Sequence, residues 1–105
     1  MKDEYTESSG NVFEDLGLER PEERQTKADV ALLINSIISD KTQEQAANIL
    51  GISQPQVSDL SRGKLKHFSV ERLFELLIKL GCNIQIVVSE ADEKDKLAQI
   101  EVIAA

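Results

Sequence analysis

The chain has 105 residues, enough for one small domain, and with 41% hydrophobic but only 4% aromatic side chains and no Trp, aliphatic residues must build its core. A single cysteine, Cys82, excludes an internal disulfide and a multi-cysteine zinc cluster, while the net charge of −7 argues at first against a nucleic-acid partner. No apolar run reaches membrane-spanning length and "MKDEYTESSG" lacks an apolar signal core, so a cytoplasmic protein with no membrane contact is expected.

In chain order, residues 1–9 are polar and expected to be disordered. "GNVFEDLGL" (10–18) carries Val12, Phe13, Leu16 and Leu18, too apolar for a free tail, and is expected to dock on the core as a short turn of helix or loop. Pro21 suits the first turn of the next helix, with Glu22 and Glu23 at its positive end. From there to about Ser39, the apolar residues Ala28, Ala31, Leu32, Ile34, Ile37 and Ile38 predict one broad buried stripe.

Thr42 and Gln45 form a capping-box pattern that starts a helix over Gln43 to Leu50, and Gly51 stops it. Ser53 and Gln56 repeat the pattern, Pro55 falls in the first turn, and this helix stops at Gly63. "KLKHF" then reads as a basic loop. Ser69 caps a fourth helix, where Val70, Leu73, Phe74, Leu77 and Leu80 recur at three- and four-residue steps before Gly81.

At "CNIQIVVSE" (82–90) the period changes to two and the side chains become β-branched, which predicts a strand. No second strand is found in the sequence. A lone strand leaves half its backbone groups unpaired, so a second copy of the chain is the expected partner, through Ile84, Ile86 and Val88. A homodimer would also relieve a marginal core. The domain is thus expected to span 10–89, followed by a tail (90–105) that is charged first and apolar at its end.

Two short helices separated by three residues, with Ala47 inside the first, describe a helix-turn-helix. Ala47 permits the close approach of steeply crossing helices, Gly51 permits the turn, and Ala46, Leu50, Ile52, Val57 and Leu60 close the pair over a shared core. The second helix is unusually rich in amide and hydroxyl side chains, whereas a merely solvated face favours Lys and Glu. Gln can pair bidentately with adenine, Ser can donate or accept, and Asp can accept from cytosine N4 in a major groove. Local charge agrees with that use. Between Lys41 and Phe68 four positive side chains (Lys41, Arg62, Lys64, Lys66) face two negative ones (Glu44, Asp59), a balance of +2, so the remainder carries −9.

"TQEQAANILGISQPQVSDLSRGK" resembles the λ-repressor-like, XRE-type helix-turn-helix family, with Gln43, Ala47, Gly51 and Val57 at that family's spacings. "GNVFEDLGL", "FSVERLFELLIKLG" and "IQIVV" extend the resemblance to small HigA-type antitoxins and regulators of type II toxin–antitoxin systems, over roughly residues 10–89. The resemblance implies a mainly all-α bundle of about five helices with one C-terminal β-strand pairing across a dimer. It implies base contacts from Gln54, Pro55, Ser58 and Asp59, and places Gln43 at the phosphate backbone. Gln56 is assigned to phosphate as a neighbour, and Arg62, Lys64 and Lys66 by their charge. Pro55 departs from patterns with a polar residue there and can offer a thymine methyl only a van der Waals contact. Ser53 reads as a cap rather than a base reader.

An enzyme fails on inventory. His67 is the only histidine, Ser58 and Asp59 point around the helix from each other, and no phosphate loop, metal-ligand spacing or cofactor motif occurs. Two functions remain. One is a sequence-specific repressor binding double-stranded DNA at a palindromic operator, either autoregulating its operon or standing alone as a phage-type regulator. The other is a neutraliser of a RelE/HigB-like toxin for which DNA binding is secondary.

Overall fold

The computed structural model describes residues 20–91 and 99–104. Four helices carry the described chain: α1 (Pro21–Ile37), α2 (Gln43–Leu50), α3 (Gln54–Ser61) and α4 (Val70–Lys79). The expected disordered residues 1–9 and the apolar residues Val12, Phe13, Leu16 and Leu18 lie outside the described residues, and so does the fifth helical element they were expected to supply.

Each helix starts where local chemistry stabilises its unbonded N–H groups. Pro21 opens α1, with Glu22 and Glu23 in its first turn. In α2 the Thr42 hydroxyl accepts from Gln45 N at 3.1 Å, and Gln45 Oε1 accepts from Thr42 N at 3.0 Å. The same reciprocal pair recurs at α3 between Ser53 and Gln56, at 3.2 and 2.9 Å. Ser69 caps α4 through Arg72 N at 3.0 Å. Such caps are each worth about 1 kcal/mol, which matters for helices of only eight residues.

Helices adjacent in sequence pack on each other only at the motif. α1 lies on α4 and α2 on α3, while α1–α3 and α2–α4 contacts close the bundle. Ala46, Ala47, Leu50, Ile52, Val57 and Leu60 are buried between the motif helices, as expected, joined by Val30, Ile34, Leu73, Leu76 and Leu77 from the flanking pair. Two expectations for α1 are corrected. Leu32 is 66% exposed and Ile37 39%, because the buried stripe follows Val30, Ala31, Ile34 and Ile38 and leaves side chains farther round the helix in solvent. On α4, Leu76 is fully buried although it was not expected to be, while Val70 and Phe74 are only half-buried.

The expected strand over 82–90 does not form within the single chain: the described residues contain no strand. Cys82 and Ile84 turn toward the core and Asn83 and Gln85 face solvent, so the two-residue alternation survives at first. Beyond that, Ile86, Val87 and Val88 are 77%, 85% and 89% exposed. A strand exists only through its ladder, and residues 83–90 make no backbone hydrogen bond to any other described residue. The apolar end of the tail does return to the core, where Val102 packs, with Ile100 and Ile103 outward.

Candidate nucleic-acid interface

α3 is two-faced. Val57 and Leu60 are buried beneath it, Gln54 and Pro55 are fully on the outside, and Ser58 and Asp59 are half-buried at its flank. The sequence expectation therefore places its four base-contact candidates on or beside the solvent-facing surface of one short helix. Gln56 is differently situated. Its Oε1 is held by Ser53, leaving only Nε2 to meet a phosphate.

Gln43 stands exposed at the first position of α2, where the cap on Gln45 N leaves the preceding N–H groups available to an anion. Glu44 shares that turn and opposes a phosphate there. Arg62, Lys64 and Lys66 are exposed beyond the other end of α3. Arg62 lies 3.7 Å from Asp59, a solvent-exposed pair weak enough for Arg62 to turn to a phosphate.

The loop that carries these cations is firmly built. Gly63 takes a left-handed φ of 73°, and the Lys64 N–H returns to the Asp59 carbonyl at 2.8 Å, closing the end of α3. Phe68 is buried and its N–H donates to the Leu65 carbonyl at 3.0 Å, so the loop is pinned at its far side too.

Three longer-range bonds hold the motif, and none was foreseen. Asn35 Nδ2 on α1 donates to the Leu60 carbonyl of α3 at 3.0 Å. Lys79 Nζ on α4 donates to the Leu50 carbonyl of α2 at 3.2 Å, placing a cation at that helix's negative end. Lys27 Nζ on α1 donates to the Leu65 carbonyl at 3.4 Å, and burial lowers its pKa from 10.5. The partners stand 25, 29 and 38 residues apart in sequence, beyond any local signal. Only Asn35, a polar residue inside the apolar run "ALLINSII", hinted at its role.

No group of three metal-ligating side chains occurs among the described residues, and His67 is exposed in the basic loop. No helix among them is long and apolar enough to cross a membrane.

Two capped helices joined by a three-residue turn, with a polar face outward and cations at its end, define a DNA-binding regulator of the helix-turn-helix class. The comparisons agree. The family described as "Helix-turn-helix domain" matches residues 12–89. A solved protein described as "Putative XRE Family Transcriptional Regulator" shares 44% identity, with a TM-score of 0.76 over 80% of this chain and 97% of that one. No curated protein matches the sequence. The chain belongs to the helix-turn-helix family, and its fold and sequence are of the XRE type.

Proposed function

We propose that the protein is a dimeric repressor that reads a palindromic operator with α3. The observation that carries this reading is the division of α3 into a buried apolar side and an outer side bearing Gln54 and Pro55, with Ser58 and Asp59 half-buried at its flank. These four would meet base edges, while Gln43, Gln56, Arg62, Lys64 and Lys66 hold the flanking phosphates. Two copies would pair antiparallel along Asn83 to Ser89, covering Ile84, Ile86 and Val88. The two-fold axis would set the recognition helices about 34 Å apart, one turn of DNA.

The test is titration of a palindromic duplex from the protein's own promoter region against random duplex, at several salt concentrations. Affinity for the palindrome should be the higher and should fall steeply with salt. Equal affinity for both duplexes, or a flat salt dependence, overturns the reading. Within the same assay, Gln54→Ala should cost about 1–3 kcal/mol and relax preference at one base pair per half-site. Lys64→Ala should weaken all sequences alike and make the salt slope shallower.

A second role, as antitoxin of a type II toxin–antitoxin pair, draws on the charge outside the motif. That remainder carries −9 and suits a basic partner such as a RelE/HigB-like toxin that acts on RNA. Co-expression with the neighbouring gene product should give a co-purifying complex that suppresses the neighbour's toxicity. A non-toxic neighbour that does not co-purify would leave a stand-alone regulator.

A further inference from the structure

Where α1 passes the basic loop, a cleft of about 130 Å³ is lined by Arg24, Lys27, Ala28, Gly63, Leu65 and Lys66. Among these described lining residues three are cationic and none is acidic. Arg24 and Lys66 are exposed at its mouth, while Lys27 is buried in its wall with its ammonium on the Leu65 carbonyl. Gly63 leaves open space at the cleft, since a Cβ there would meet nothing within 4 Å.

We propose that this cleft seats a backbone phosphate of bound DNA, held by the Arg24 guanidinium from α1 together with Lys66 from the loop. The proposal rests on the DNA reading above and adds a helix to it, because α1 otherwise only supports the motif. Continuity is the argument. Gly63, Leu65 and Lys66 belong to the loop that carries Arg62 and Lys64. A duplex strand lying along that loop would pass the cleft mouth. Arginine is also the side chain best shaped to grip a phosphate, with two parallel N–H donors. The phosphate track would then run from the end of α3 through the loop and onto the first turns of α1.

Arg24 is exposed, so its replacement leaves the core intact. Salt-dependent binding of the full chain to operator and random duplex should be compared for wild type, Arg24→Gln and Arg24→Lys. Arg24→Gln should lose affinity by the same factor for both duplexes, and its plot of log K against log salt should be shallower by about 0.9 per protomer, the value of one phosphate contact. Arg24→Lys keeps the charge and should restore most of the slope. A wild-type slope in Arg24→Gln, or a loss confined to the operator, overturns this assignment while leaving α3 as the reader. Absence of salt-dependent binding by the wild-type chain overturns the DNA reading and this assignment with it.

Discussion

The segment after α4 is the more apolar in sequence, with four hydrophobic residues of eight between 83 and 90 against seven of 23 between Thr42 and Lys64, yet it is the helix-turn-helix that buries most of its own. Between Thr42 and Lys64 the helix ends are capped by their own side chains, by the loop, or by Asn35 and Lys79 reaching across the bundle. Between 83 and 90 no backbone group bonds to another described residue, and three consecutive β-branched side chains stand more than three-quarters exposed. The motif is complete within one chain. The segment has the composition of a strand without the ladder, which the proposed dimer would supply.

Breaking the incomplete half should have the largest effect. Ile86→Pro removes a backbone donor and fixes φ in the segment, so antiparallel pairing fails. Sedimentation should show monomer. Operator affinity should fall about 100-fold or more, because two half-sites are no longer bound as one. Helical content by circular dichroism should be unchanged. A dimeric Ile86→Pro would move the interface, most plainly to α4 or to the tail from Leu97 to Ile103, whose described portion exposes Ile100 and Ile103; Leu97 itself lies outside the described residues.

Core truncation sharpens the same contrast from the other side. Leu60 is fully buried and Val88 is 89% exposed. Leu60→Ala should cost about 2–5 kcal/mol of stability in urea unfolding. Val88→Ala should cost nothing measurable at protein concentrations too low for dimers. A comparable loss from both would mean that residue 88 is buried in the single chain.

What could be read in the sequence follows the range of each interaction. The capping boxes at Thr42 and Ser53, the turn at Gly51 and the polar face of α3 are fixed within four or five residues, and all were legible. The inward side of α1 was not. Six apolar residues, Ala28, Ala31, Leu32, Ile34, Ile37 and Ile38, read as one stripe, and only the partners α3 and α4 decide that Leu32 and Ile37 stay out. Lys79 and Lys27 act across tertiary distances, so their types alone gave no position, and Asn35 stood out only as a polar residue in an apolar run. For Ile86 and Val88 the alternation was readable, but nothing among the described residues pairs with it.

Gly51 tests the motif's own turn at smaller cost. Its φ of 71° lies in the left-handed region, where a side chain costs about 1–2 kcal/mol. An added Cβ would also come within 2.9 Å of Lys79 Nζ. That amine ends a flexible side chain and can move, though moving it gives up the bond to the Leu50 carbonyl. Gly51→Ala should therefore lower stability by about 1–2 kcal/mol. In Gly51→Ala/Lys79→Met the second change should add less than it does alone, since the first has already disturbed the bond.

Among the buried contacts, the smallest effect should come from the bond that looks most specific. Asn35 Nδ2 ties α1 to the Leu60 carbonyl, but Asn35 Oδ1 is buried with no partner among the described residues, a desolvation cost comparable to what the bond returns. The Leu60 carbonyl also accepts from the Gly63 N–H at 3.2 Å, so it is not orphaned when Asn35 is lost. Asn35→Ala removes donor and orphan acceptor together and should change stability by less than about 1 kcal/mol. Asn35→Asp, nearly the same shape, removes the donor and sets a carboxylate against the Leu60 carbonyl, so it should destabilise more than Ala does. Thermal unfolding of the two variants at neutral pH checks the order. If alanine proves the worse substitution, the Asn35–Leu60 bond holds α3 in place more strongly than the redundancy at Leu60 allows.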